Sequence, residues 1–327
     1  MKPASAILAL LAAAAATAGA QQRLPQECRA EIVALCPMGG GLRDCVRAAL
    51  PKLSENCRKA ISDRAGANAV RPEGMTELAY GSDPKQRIDF VRPVLNRTVP
   101  LIVHIHGGGW SIGDKTHAIG AKAAHFNGLG WAFASVNYRL VPAATVEQQA
   151  GDVASAVAYL RAHAIERGLD PDRIVLMGHS AGAHLAALVA SDPAYFKAAG
   201  VPMAAVRGVV LLDGAGYNVT QQMARPGNMV SGMYDAAFGR DPRRQAALSP
   251  TRHAAAPNVA DWLIMPVATR RDSTAQSSAL AAALTRAGTR ATVVPVPDTN
   301  HAALNRQLGV AGDFATGRVD AFLAGLR

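Results

Sequence analysis

Residues 178–182 read Gly-His-Ser-Ala-Gly, a G-x-S-x-G pattern set between an apolar β-rich run, Arg173–Met177, and a stretch of small and apolar residues, Ser180–Ala190, with helical character. No other feature constrains the chain as tightly. A serine on a sharp strand-to-helix turn is held in strained backbone geometry. Side chains at the two flanking positions would collide, so glycine occupies both. Such a turn lifts the Ser180 hydroxyl into the open at a helix N-terminus, and it requires a strand that runs directly into a helix.

The rest of the chain from residue 75 onward supplies that setting. Strand-like runs at Thr76–Tyr80, Arg87–Arg92, Leu101–Ile105, Trp131–Asn137, Arg173–Met177, Val206–Leu212, Trp262–Ala268 and Ala291–Val296 alternate with helical stretches at Val146–Arg167, Ser180–Ala190, about Ser273–Ala287 and Asp313–Leu326. Eight strands with interleaved helices imply a mostly parallel sheet covered on both faces. Half of the 327 residues are hydrophobic and 18% are charged, which is enough to fill such a core.

Two further segments complete a chemistry around Ser180. His106-Gly107-Gly108-Gly109-Trp110 follows the strand Leu101–Ile105. Successive glycines let backbone N–H groups approach a substrate, as the negative oxygen of an acyl-transfer intermediate requires, with the N–H of Ala181 as a further donor. The His106 side chain is read as orienting this loop. Among nine histidines, His301 is the expected base, because it follows the last strand and comes after the nucleophile in chain order. Three aspartates compete as its acid. Asp272 is the first choice, since it follows the strand Trp262–Ala268 and sits beside Ser273, read as the cap of the next helix. Asp213, after Val206–Leu212, and Asp298, three residues before His301, are the alternatives. The long insert Gly214–Asn258, with Tyr217, Met223, Met229, Met233, Tyr234 and Phe238, is read as part of an acyl pocket.

The set HGGGW, NYRLVP, DPDRIVLMGHSAGAHLAALV and NHAALNR resembles the α/β-hydrolase esterases related to hormone-sensitive lipase and the bacterial kynurenine-formamidase-like carboxylesterases, over residues 75–327. That resemblance implies the α/β-hydrolase fold, a Ser180–His301–Asp272 triad, and an oxyanion hole at Gly108, Gly109 and Ala181. It also implies hydrolysis of carboxylic esters of short to medium acyl length through an acyl-enzyme, with a small-molecule ester as partner and no metal or organic cofactor. An amidase or arylformamidase would use the same residues, and a binding protein on a hydrolase scaffold is a third reading. One departure stands out: the E-H-P-F-P-A segment of many lipase-like members is replaced here by Ala143-Ala144-Thr145-Val146-Glu147.

Ahead of this catalytic domain the chain has a different character. Residues 1–20, with Lys2, an apolar run at Ile7–Ala16 and Ala18-Gly19-Ala20, read as a secretory signal, so a secreted or periplasmic location is expected. The formal charge of +10 is spread along the chain rather than gathered on one helix, so neither nucleic acid nor integral membrane association is expected. All four cysteines, Cys28, Cys36, Cys45 and Cys57, fall within residues 21–63, followed by a Gly- and Pro-containing linker at 64–74. Two helices, Gln26–Leu35 and Leu42–Ile61, broken by Pro37-Met38-Gly39-Gly40-Gly41, would form an antiparallel hairpin. Its geometry favours Cys36–Cys45 near the turn and Cys28–Cys57 near the open end. The cysteine spacing resembles the cysteine-rich repeat of a Golgi sialoglycoprotein. Peptide mapping of the unreduced protein is expected to recover these two linkages; a Cys36–Cys57 peptide or four free thiols would overturn the hairpin.

Overall fold

The computed structural model describes residues 24–36, 45–46, 49–58, 60–61, 74–224, 231–255 and 257–326. The expected signal segment, the Pro37–Gly41 break, Met229 and nearly all of the linker lie outside these residues. Eight strands form one sheet: β1 (Thr76–Ala79), β2 (Arg87–Val91), β3 (Val99–Ile105), β4 (Ala132–Val136), β5 (Leu169–His179), β6 (Val206–Leu212), β7 (Asp261–Met265) and β8 (Arg290–Val293). Their spatial order is β1-β2-β4-β3-β5-β6-β7-β8. The pairs β1·β2 and β2·β4 are antiparallel, and every later pair is parallel.

The central strands β3 to β7 are largely buried on both faces, which is why they read as apolar runs rather than as alternations, while the edge strands β1 and β8 are largely exposed or half-buried. Successive side chains still divide between the two layers. Leu101, Val103 and Ile105 of β3, Ile174 and Leu176 of β5 and Val209 and Leu211 of β6 join one core. That core is shared with the helices Val146–Ala162 and Ala181–Ser191. Ile102, Val175, Met177, Val210 and Leu212 point the other way, toward the helices Lys122–Gly128 and Phe314–Gly325. The helix Val146–Ala162 starts at a complete capping box. The Thr145 hydroxyl accepts from the Gln148 N–H, and the Gln148 side chain accepts from the Thr145 N–H.

Two sequence expectations need correction. The second arm of the cysteine hairpin is not one helix. Its described part turns into a 3₁₀ segment at Leu50–Lys52 and an extended Leu53, because Pro51 favours a helix start and Ser54 caps a new turn by accepting from the Cys57 N–H. The helix after β7 begins at Arg271, two residues earlier than its supposed cap Ser273, which lies within the first turn. Ser273 donates instead to the Gly214 carbonyl (2.8 Å) and so binds this helix to the loop after β6. Both expected disulfides, Cys28–Cys57 and Cys36–Cys45, are present.

Lys122 is an unusual core residue. It is 1% exposed and donates from Nζ to the Asn305 carbonyl (2.5 Å). Burial disfavours its ammonium form and pushes its pKa down to about 7. In the unfolded chain a lysine titrates near ~10.4. Between those values the unfolded state holds a proton that the folded state has released, so stability rises with pH across the window. Below it, the burial cost acts in full. Lys122→Met is therefore expected to gain more in melting temperature, relative to the parent protein, at about pH 6 than at about pH 10. Thermal melts at the two pH values that show no such difference would contradict the buried-lysine cost.

Candidate active site

The carboxyl ends of β3, β5, β6 and β7 bring the chemical residues together. At the end of β5 the chain turns into the helix Ala181–Ser191, and Ser180 adopts φ 57° and ψ −120°. The reason for both flanking glycines is visible. A Cβ on Gly178 would lie 2.2 Å from the Gly182 carbonyl oxygen, and one on Gly182 would lie 2.2 Å from that of Ile105. The Ser180 N–H is anchored to the Leu212 carbonyl (3.0 Å), which fixes the turn against the end of β6.

His301 begins the helix His301–Gln307, whose N-cap Asn300 accepts from the Ala303 N–H. Its Nε2 lies 3.0 Å from Ser180 Oγ and its Nδ1 lies 2.6 Å from Asp213 Oδ2. The serine O–H can donate to Nε2 while the Nδ1–H donates to the carboxylate. The structure corrects the expected pairing: Asp213, not Asp272, meets His301. Because its helix starts at Arg271, Asp272 is a first-turn residue with a side chain 36% exposed, 3.8 Å from Arg270. Asp298 sits exposed on a turn at φ 50°.

Asp213 has the surroundings that a buried carboxylate needs. Its side chain is fully buried, its φ is 44°, and its Oδ1 accepts from the Val267 N–H (3.0 Å). Arg270, which the sequence reading did not single out, donates from Nη1 to Asp213 Oδ2 (2.5 Å) and lies 2.7 Å from His301 Nδ1. Burial alone would raise the Asp213 pKa. The hydrogen bond from His301, the Arg270 charge and the Val267 N–H outweigh it and hold the carboxyl well below the usual carboxylate range. His179 donates from Nε2 to the His301 carbonyl (2.8 Å) and holds the backbone of that residue. Burial, followed by the His301 charge, lowers its own pKa and keeps it neutral.

The glycine loop is held open beside Ser180. Gly108, Gly109 and Trp110 have φ values of 127°, 58° and 61°, which place the loop in a conformation that favours glycine. Any Cβ on Gly107 would meet Ser180 Cβ at 2.9 Å. His106 donates from Nδ1 to the Gly107 carbonyl (2.7 Å) and stacks on Tyr138 at 4.4 Å, and the Tyr138 hydroxyl donates to the His106 carbonyl (2.9 Å). The Trp110 carbonyl accepts from the Val141 N–H (2.9 Å) and from Gln149 Nε2 (2.7 Å). The N-Y-R-L-V-P segment is therefore the brace of the glycine loop. Ala181 opens its helix, so its N–H has no intrahelical acceptor.

A cavity of about 490 Å³ joins these groups, lined by the glycine loop, Ser180, Ala181, His301 and Arg270, with Ile112, Met233 and Tyr234 on its walls. Of the insert residues read as an acyl pocket, Met233 and Tyr234 do line it. Tyr217 and Phe238 are wholly buried in the core.

A family model described as BD-FAE matches residues 88–200, which include the glycine loop and Ser180 but neither Asp213 nor His301. Esterase LipQ of Mycobacterium tuberculosis is 31% identical over 189 residues, covering 54% of this chain and 44% of that protein. The probable carboxylic ester hydrolase LipM of the same organism is 39% identical over 99 residues, covering 30% of this chain and 23% of that protein. The chain thus spans less than half the length of these curated relatives. The crystal structure of esterase B from Lactobacillus rhamnosis superposes with a TM-score of 0.66 at 21% identity, over 87% of this chain and 97% of that one. The fold is that of the α/β-hydrolases. The expected resemblance of the cysteine segment to a Golgi repeat gains no support from these matches.

The geometry separates the two aspartates. Asp213→Asn is expected to slow covalent labelling of Ser180 by a fluorophosphonate by about 10⁴-fold, because the amide no longer orients the imidazole or supports its cation. Asp272→Asn is expected to label at close to the parent rate. Mass spectrometry of the labelled peptide over time measures both, and the reverse ranking would return the role to Asp272.

Proposed function

We propose that this chain is a serine esterase that hydrolyses carboxylic esters of short to medium acyl length. The observation that carries the reading is the continuous hydrogen-bonded line from Ser180 Oγ through His301 to the buried Asp213 carboxylate. In this mechanism His301 takes the Ser180 proton as the hydroxyl attacks the ester carbonyl. Asp213 holds the imidazole and stabilises the imidazolium. The N–H groups of Gly108, Gly109 and Ala181 receive the developing oxyanion. The alcohol leaves with the proton from His301, and water activated by His301 then cleaves the acyl-enzyme. The similarity to LipQ and LipM, an esterase and a probable carboxylic ester hydrolase, supports the same reaction class.

An amidase or arylformamidase reading uses the same groups and differs in the leaving group alone. The lining favours esters of modest acyl length, since Met233 and Tyr234 close one wall over the glycine loop. An extracytoplasmic location is part of this proposal. Two disulfides support it, because such bonds persist in oxidising compartments.

A panel of p-nitrophenyl esters graded by acyl length, run beside an N-formyl aryl amine, tests the reading. Ester turnover is expected to dominate, and Ser180→Ala is expected to abolish it in a protein with an unchanged circular dichroism spectrum. Preferential turnover of the formamide would move the assignment to the amidase reading. Ester turnover persisting near the parent level in Ser180→Ala would remove the proposed nucleophile.

A further inference from the structure

The disulfide hairpin ahead of the catalytic domain touches the cleft from behind. Its apolar cluster is built on buried Cys28, Leu50, Leu53 and Cys57, with Ile32 and Ile61 packed around them, and the catalytic domain adds Ile112 to this same cluster. Its Leu50–Lys52 segment also packs against the helix Ser231–Phe238. These two contacts fall on two of the segments that line the cleft. Ile112 lines the cavity directly, and its N–H donates to the Gly108 carbonyl (3.1 Å), so its position is tied to the glycine loop. The helix Ser231–Phe238 supplies Met233, whose sulfur occupies the space that a Cβ on Gly109 would take. Tyr234 and Phe238 from the same helix pack edge-on against Trp110 at 5.3 and 4.7 Å.

The described parts of the hairpin are cross-linked at two places. The Cys28–Cys57 bond ties the first helix to the second arm. Ser54 donates from both its N–H and its hydroxyl to the Glu31 carboxylate, at 2.6 and 2.5 Å. A cluster of four buried side chains is too small a core to hold a fold by itself. Its apolar face is completed by Ile112, so hairpin and cleft wall order each other.

We propose that the hairpin determines acyl-chain selectivity: through Leu50 and Leu53 it presses Ile112 and the Met233 helix toward the glycine loop and so excludes long acyl groups. Leu50 and Leu53 are positioning residues, since neither lines the cavity. The inference deepens the esterase reading, and its test is arranged so that the two can fail separately.

The test uses the full chain with the paired substitution Leu50→Ala and Leu53→Ala, both disulfides intact, and in parallel Cys28→Ser with Cys57→Ser. Two readouts are taken: kcat/KM for p-nitrophenyl acetate and octanoate, and the inactivation rate by a methyl and an octyl phosphonate ester. Relaxing the wall should raise the octanoate-to-acetate ratio, and the octyl-to-methyl inactivation ratio, by about 10-fold or more, as expected for a pocket constraint on several methylenes. Acetate turnover should stay close to that of the parent. Ratios unchanged in a folded Leu50→Ala/Leu53→Ala protein would overturn the proposal. Should the cysteine pair fail to fold, the leucine pair still decides it. Should the parent turn over no ester, the phosphonate ratio still decides it while the esterase reading alone falls.

Discussion

The Asp213 carboxylate is the group on which the rest of the site depends. One oxygen accepts from the Val267 N–H, just beyond β7, and the other accepts from His301 and Arg270. The Asp213 N–H in turn donates to the Met265 carbonyl (2.9 Å) at the end of β7. A single side chain therefore fastens the end of β6 to the end of β7 and to the helix that begins at His301. A buried carboxylate with fewer donors would be costly. Here the positive charge of Arg270 and the hydrogen bonds supply the compensation, and the same contacts that hold the charge also fix the imidazole plane. Folding and the geometry of the Ser180–His301–Asp213 line share one set of interactions.

This dependence explains which parts of the site were legible in the sequence. Ser180 and its two glycines are a local matter: backbone collisions within five residues set them, so the motif carries its own structural context. His301, which the structure sets against Ser180 Oγ, was legible from its place after the last strand and after Ser180 in chain order. The aspartate that meets His301 was not, because its identity is decided across strands. Asp213 and Asp272 both follow strands that end on the same side of the sheet. What separates them is where the following helix begins. Ser273 reads as a cap, yet its hydroxyl is used to bind Gly214, and the helix starts earlier, turning Asp272 outward. Arg270 left no signal at all, since its role exists only once β6 and β7 lie side by side.

The fold was legible to a greater degree, for a related reason. Strands buried on both faces give uniform apolar runs, and all eight appear near their expected places, with boundaries shifted by a few residues. β5 is the largest departure, extending from Leu169 rather than Arg173. Its polar opening, Asp170-Pro171-Asp172-Arg173, looks like a turn, but Leu169 pairs with Val99 and carries the strand back past it. The second arm of the hairpin failed as a helix for a local reason that the sequence did contain, Pro51 followed by Ser54. The helical periodicity of its apolar residues outweighed that signal.

The histidines show how position, rather than residue type, divides chemistry from architecture in this protein. His104, His106, His179 and His184 are all buried, and burial disfavours the cation of each; His106 and His184 fall to about 4. A neutral imidazole offers one N–H donor and one acceptor on a flat, packable ring. His184 uses both: Nε2 donates to the Leu248 carbonyl (2.8 Å) and Nδ1 accepts from the Trp110 indole (3.3 Å). In that way it ties the glycine loop to the segment that follows the pocket helix. His179 performs the equivalent service for the backbone of His301. His301 differs because its two ring nitrogens face a serine hydroxyl and a carboxylate at the rim of the cleft, the arrangement on which the proposed acyl transfer rests. The neighbouring rings, kept neutral by burial, hold the glycine loop and the His301 backbone, and Arg270 is the cation beside the Asp213–His301 pair.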